Sequence, residues 1–269
     1  MSLSNPNTAQ KKSIVLCISG LDPSGGAGIQ ADIETIFSLG CHGCSIVSVL
    51  TIQNSGDIKR ISNVPADIIE DQFNCILQDM PISVIKVGML GSVEQIQTLS
   101  KLFKQHPDIP VVLDPVFASG NGFSVSSNAM LEALQQQILP HCFLLTPNSL
   151  EARRLANLGI DGDLSECARK IQTMGCKNVL ITGTHENEIN VVHRLWQGEK
   201  LNAYANTRLD NSYHGSGCTL ASALAALLAK HYSVEDAVKA ALHFTFNSLQ
   251  NAQALGKGQL IPDRNSKSD

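Results

Sequence analysis

From Ile14 to Leu242, short β-branched or apolar runs alternate with stretches whose apolar residues recur at helical spacing. That alternation restricts the chain to a mostly parallel sheet with helices on both faces. Ile14 to Ser19 reads as a strand that passes through a glycine-rich loop, Gly20 to Gly28, into a helix marked by Ile29, Ile33, Ile36 and Phe37. Cys44 to Leu50 is a second strand, ending in the polar set Thr51, Gln53 and Asn54. A helix from Pro65-Ala66-Asp67 to about Asp79, a strand at Val84 to Val87 and a helix from Val93 to Lys104 follow. The strand Val111 to Leu113 runs into Asp114-Pro115, and a helix is expected around Asn128 to Ile138.

The strand Phe143 to Leu145 leads through Thr146-Pro147-Asn148 to a helix holding Glu151. Asp163 with Glu166 marks a helix start, running to Met174, and Val179 to Thr182 is a strand. Two short strands between Val191 and Ala205, about Gln197-Gly198-Glu199, read as a small hairpin on the sheet edge. Ser233 with Asp236 caps a last helix whose apolar face is Val234, Ala237, Val238, Ala241 and Leu242. Strand ends of such a sheet collect at one edge, so Asp22, Gln53, Met89, Asp114, Asn148 and Cys218 are expected to meet there.

No composition shift or linker splits the chain, so residues 14–256 read as one domain, with a flexible polar leader at 1–13 and a mobile polar tail at 257–269. A net charge of -4 leaves no basic footprint for nucleic acid or an anionic membrane. The longest apolar run, Leu220 to Ala229, is too short to span a bilayer. The cysteines lie scattered on expected strands and helices behind no signal peptide, which reads as a reduced, cytosolic chain. Cys41 and Cys44 have no second pair at zinc-finger spacing and read as packing residues.

The strongest local signal is His214-Gly215-Ser216-Gly217-Cys218-Thr219, running directly into the apolar segment Leu220 to Ala229. Two glycines allow a tight turn, and the helix behind them points its first N–H groups into it, a natural anion site. Were the anion a phosphate, the N–H groups of Gly215 to Cys218 would stabilise charge developing in phosphoryl transfer. A thiol at a helix N-terminus has its pKa lowered from about 8.5. Cys218 is therefore expected as a thiolate near neutral pH that takes a proton from an attacking hydroxyl; the alternative is a small buried hydrophobe. His214 reads equally as a cap, a packing residue or a chemical group.

Gly25-Gly26-Ala27-Gly28 lacks the Gly-Lys-Ser/Thr ending of a P-loop, and the second strand lacks the acidic residue of a dinucleotide fold. Asp32 suits a substrate hydroxyl or amine, or the helix dipole. Asn148 and Glu151, three apart across a strand-to-helix junction, suit Mg²⁺ and its waters beside a triphosphate, though Asn is also a common cap. Asp114 suits the same region or a turn. Lys86, inside an apolar strand, requires an acidic partner or a catalytic use.

These segments, in this order and spacing from about Val15 to Arg264, resemble the hydroxymethylpyrimidine and phosphomethylpyrimidine kinases of thiamine biosynthesis. The resemblance rests on Gly20 to Asp32, Gln53-Asn54, Lys86 to Leu90, Leu113 to Val116, Thr146-Pro147-Asn148 with Glu151, and His214 to Leu220. It implies a ribokinase-like three-layer sandwich and two successive phosphorylations, by ATP, of 4-amino-5-hydroxymethyl-2-methylpyrimidine. It places Gly20, Ala27, Asp32, Gln53 and Met89 around the pyrimidine. Gly215, Ser216 and Gly217 become the anion hole, with Cys218 in the base position. Asp114, Asn148, Thr182 and Gly183 fall on the nucleotide, and Asp114 and Glu151 on Mg²⁺. A homodimer is implied as well. The chain departs from the commonest pattern at Thr182 to His185, at Phe117 to Gly122 and at Asn211 to Tyr213, all on the expected ATP side. The alternatives are a pyridoxal or pyridoxine kinase, or a non-catalytic pyrimidine-binding protein.

Overall fold

The computed structural model describes residues 12–117 and 127–265. The strands are β1 (Ile14–Leu21), β2 (His42–Gln53), β3 (Ile58–Asn63), β4 (Val84–Val87), β5 (Val111–Leu113), β6 (Cys142–Leu145), β7 (Asn178–Ile181), β8 (Asn190–Gln197) and β9 (Lys200–Thr207). The helices are α1 (Gly28–Ser38), α2 (Ala66–Asp79), α3 (Val93–Gln105), α4 (Asn128–Ala133), α5 (Ser149–Leu155), α6 (Leu164–Thr173), α7 (Ser216–Ala229) and α8 (Val234–Gln250).

All nine strands form one sheet in the order β3-β2-β1-β4-β5-β6-β7-β8-β9. The six strands from β2 to β7 pair in parallel, while β3, β8 and β9 are antiparallel at the two edges. Side chains of a strand alternate between its faces, and both faces here are apolar. Leu16, Ile18, Ile85, Val87, Val111 and Leu113 pack beneath α2 to α6. Val15, Cys17, Val84, Val112 and Leu144 pack beneath α1, α7 and α8. The result is a three-layer α/β sandwich with β8 and β9 as an edge hairpin.

Three expectations need correction. β3 is an additional strand: Ile58-Lys59-Arg60-Ile61 carries too much charge for a core pattern, and it pairs only with β2. The expected helix from Asn128 to Ile138 is α-helical only to Ala133; residues Leu134–Ile138 form a wider π turn and Leu139–His141 a 3₁₀ turn, where Pro140 ends the α-type bonding. The tail from Lys257 is anchored as far as residue 265. Gln253 pairs with Ile261, Gln259 N donates to Ser55 O at 3.0 Å, and His214 N donates to Leu260 O at 2.9 Å. Isolated backbone pairings of this kind leave no periodic trace in a polar segment. Residues 1–11 of the expected leader, 118–122 of the divergent loop and 266–269 of the tail lie outside the described residues.

Candidate active site

β1 has β2 on one side and β4 on the other, so the chain's direction of travel across the sheet reverses there. Ligands of open α/β sheets bind at such a switch point, beyond the C-terminal strand ends. A cavity of about 740 Å³ opens at that place. Gly20, Ala27, Gln53 and Met89 line it, as do Asp114, Asn148, Glu151 and Thr182, and so do Gly215, Ser216, Gly217 and Cys218. The topology thus gathers these residues from strand ends and the α7 N-terminus.

The α7 start explains its sequence. Gly215 is the N-cap with φ 78°, a conformation that disfavours side chains, and no side chain caps the helix. A Cβ on Gly215 would lie 2.1 Å from Gly26 O, so the two glycine loops touch backbone to backbone. The uncapped first-turn N–H groups stand at the cavity end of α7, as an anion site there would require.

Cys218 corrects the expected thiolate. Its thiol is raised to about 12, chiefly by burial and against the pull of Lys86, with Asp114 and Asp32 adding to the rise. The helix N-terminus is outweighed by the loss of water and by two nearby carboxylates. Asp114 stands nearby, its carboxyl raised to about 6, chiefly by burial and against the pull of Lys86. Glu151 is raised to about 8 by burial and by Asp114, partly offset by N–H groups of Asn148 and Phe117. Asn148 and Glu151 form a reciprocal capping box, with Glu151 N to Asn148 Oδ1 and Asn148 N to Glu151 Oε2 both 2.9 Å. The pair is thus a helix cap, and both residues also line the cavity. Two neighbouring carboxylates, of which Asp114 opposes the ionisation of Glu151, beside an amide, suit a divalent cation that keeps several waters.

Asp32 also needs correction as a substrate ligand. It is fully buried behind the cavity wall and its oxygens are occupied. Ser19 Oγ donates to Oδ2 at 2.6 Å, Ser222 Oγ to Oδ1 at 2.7 Å, and Lys86 Nζ lies 2.8 Å from Oδ1. Lys86 alternates with Ile85 and Val87 on β4, which turns it toward α1 and α7; that is the partner its burial required. Gly183 is buried beside the cavity rather than lining it, since a Cβ there would lie 2.2 Å from Val192 O.

Asp22, His214 and Gln53, each singled out in the sequence, meet at the rim, while Arg154 and Arg208 carried no sequence signal. Asp22 binds Ser24 N at 2.9 Å, Ala27 N at 3.0 Å and His214 Nε2 at 2.6 Å. A carboxylate only accepts, so His214 carries a proton on Nε2. The Gln53 amide lies 2.9 Å from the same nitrogen, so His214 links it to Asp22. Arg154 and Arg208 also line the cavity. Arg208 donates to Thr184 O at 2.8 Å and Glu186 O at 2.9 Å, and Arg153 grips Glu186 through both terminal nitrogens. These bonds fix the turn that brings Thr184 and His185 to the cavity. All eight cysteines are free, Cys41 and Cys44 among them. Among the described residues no helix is long and apolar enough to cross a membrane.

A family model for phosphomethylpyrimidine kinase matches residues 22–263. The chain is 36% identical over 248 residues to the hydroxymethylpyrimidine/phosphomethylpyrimidine kinase of Streptomyces coelicolor, covering 91% of each. It is 35% identical over 247 residues to the thiamine biosynthesis bifunctional protein ThiED of Geobacter sulfurreducens, covering 91% of this chain but 50% of that one. The chain thus spans about half the length of some curated relatives and nearly all of others. Among solved structures, an ADP complex of Bacillus subtilis pyridoxal kinase superposes with a TM-score of 0.87 at 29% identity, covering 94% of this chain and 98% of that one. Phosphomethylpyrimidine kinase from Clostridium difficile superposes with a TM-score of 0.78 at 29% identity, covering 88% and 100%.

Proposed function

The chain belongs to the phosphomethylpyrimidine kinase family, and we propose that it transfers the γ-phosphate of ATP to the hydroxymethyl group of 4-amino-5-hydroxymethyl-2-methylpyrimidine and then phosphorylates the monophosphate. The observation that carries this reading is a single cavity lined by the Gln53 amide, the α7 N-terminus and the Asn148–Glu151 pair. Gly20, Ala27, Gln53 and Met89 hold the ring, with the Gln53 amide donating to a ring nitrogen and accepting from the 4-amino group. Asp32 braces the wall behind them.

The transferring phosphoryl group lies against the N–H groups of residues 215–218, whose fixed dipoles need no reorganisation as charge develops. Transition states of this reaction are loose, so positioning and charge stabilisation dominate. Cys218 takes the base position through a relay: the hydroxyl proton moves to Sγ as the thiol proton moves to the nearby Asp114 carboxylate. Thr182, Asn148, Arg154 and Arg208 face the nucleotide, the two arginines supplying charge where the sequence departs from the family. Asp114, Asn148 and Glu151 would hold Mg²⁺ through its waters, and the ion would neutralise charge on the phosphates. A cytoplasmic homodimer completes the reading; sedimentation tests the dimer.

The test is to incubate the purified protein with ATP, Mg²⁺ and the pyrimidine and follow products by mass. Monophosphate followed by diphosphate is the expected outcome. The higher TM-score of the pyridoxal kinase makes pyridoxal the second substrate to measure. A larger kcat/KM for pyridoxal would overturn the pyrimidine assignment, and binding without ATP consumption would overturn the kinase.

A further inference from the structure

Arg264 is the largest of the fully buried side chains, at 1% exposure, and it stands on the segment that the sequence presents as a polar tail. Burying a guanidinium is costly unless nearly all its donors are used. Here they are used on two loops far apart in the chain. Nε donates to Thr219 Oγ1 at 2.9 Å, and Thr219 Oγ1 in turn donates to Gly215 O at 2.9 Å. NH1 reaches Gly25 O at 3.4 Å and the Glu34 carboxylate at 3.1 Å, and NH2 donates to Gly26 O.

Each carbonyl so held fixes a peptide plane, and for Gly215 and Gly26 the N–H on its far side belongs to the site. The Gly215 carbonyl shares its plane with the Ser216 N–H, at the mouth of the anion hole. The Gly26 carbonyl shares its plane with the Ala27 N–H, which donates to Asp22. The same C-terminal segment holds His214 N through Leu260 O and the Ser55 backbone through Gln259 N, the latter two residues beyond Gln53. It therefore crosses every loop that brings a ring-facing or phosphate-facing group to the cavity, except those at the ends of β4 to β7.

We propose that Arg264 is a positioning residue for phosphoryl transfer: it locks the Gly25–Gly26 carbonyls and, through Thr219, the Gly215 carbonyl, so that the substrate loop and the anion hole keep one separation and orientation. Arg264 does not line the cavity and touches no reacting atom. Lysine cannot replace it, because a point charge lacks the planar fork that reaches four acceptors at once. The inference rests on the kinase reading above.

The test compares wild type, Arg264→Lys, Thr219→Val and Thr219→Ser, assayed well below each variant's melting temperature. A displacement of about 1 Å away from the chemistry can cost about 10²-fold in rate. Arg264→Lys is therefore expected to lose about 10²-fold in kcat, with KM for the pyrimidine and for ATP within about threefold of wild type. Thr219→Val, which keeps the shape but breaks the link to Gly215, loses kcat in the same way, and Thr219→Ser recovers most of that loss. Should Arg264→Lys fail to fold, the threonine pair carries the test. A wild type inert toward the pyrimidine overturns the kinase reading and this inference with it. An active wild type whose Thr219→Val variant keeps its kcat, or in which valine and serine behave alike, overturns the inference alone.

Discussion

His214 Nε2 lies 2.6 Å from Asp22 Oδ2, joining residues 192 positions apart at the rim of the cavity. The contact ties the first glycine loop to the anion-hole turn, and it fixes the proton on the face of the imidazole that Gln53 approaches. Burial pushes the Asp22 carboxyl up, but hydrogen bonds from His214 and Ser24 outweigh burial and hold it below the usual carboxylate range.

Asp22→Ala should accordingly destabilise the fold by about 1.5–3 kcal/mol, the range for hydrogen bonds to a charged group, and raise the pyrimidine KM by loosening Gln53. Urea denaturation reads the first effect and initial rates the second. Because the folded value is depressed, the Asp22 contribution is complete above its unfolded pKa of about 3.9 and is lost as pH falls through the folded value. A variant as stable as wild type at neutral pH would show that the contact holds nothing together.

Cys218→Ala should lower turnover by about 10²- to 10⁴-fold, the usual contribution of proton transfer, with little change in melting temperature. The raised thiol also predicts slow alkylation in the unliganded protein. With iodoacetamide at pH 8, mass mapping should find exposed Cys75 labelled before Cys218. Faster labelling of Cys218 would restore the thiolate that the α7 position alone suggests.

Lys86→Met should cost about 3–5 kcal/mol, because it strands the Asp32 carboxylate in a site with 0% exposure. Adding Asp32→Asn should return much of that loss, since the amide carries no uncompensated charge. Chemical denaturation of both variants measures it, and additive losses would argue against a coupled pair.

His193, on β8 at the cavity wall, has its pKa lowered to about 4 by burial and by Arg194. Its folded value lies below the unfolded value of about 6.5, so the unfolded chain binds the extra proton between those pH values. Stability should therefore be full above about pH 6.5 and fall steadily toward pH 4. Thermal midpoints across that window for wild type and His193→Gln would show the slope in the first and a flatter line in the second. Parallel slopes would assign the acid sensitivity elsewhere.

Most of the strands and helices were legible because each carries its own periodicity. Val111-Val112-Leu113 reads as a buried strand wherever it is placed, and Asn148 with Glu151 announces a helix start. β3 was not legible, because an edge strand is held by backbone pairing with β2 and tolerates Lys59 and Arg60. The tail was not legible either, because it is held by single bonds to Ser55, Ser212 and Arg264's partners rather than by a repeating face.

The same division runs through the site. By itself the sequence determined the order of elements, the glycine turn before α7 and the set of residues that a parallel sheet must deliver to one edge, since these follow from local pattern and chain direction. Only the tertiary structure decided what those residues are chemically. Asp32 became a buried counter-ion rather than a ligand because Ser19, Lys86 and Ser222 converge on it from three elements. Cys218 became a thiol because desolvation, and the carboxylates of Asp114 and Asp32, exceed the pull of Lys86. Arg264 became a brace behind the site because its donors reach a loop more than two hundred residues away. Burial and charge at a point in space are sums over everything packed around it, and no run of neighbours along the chain contains that sum.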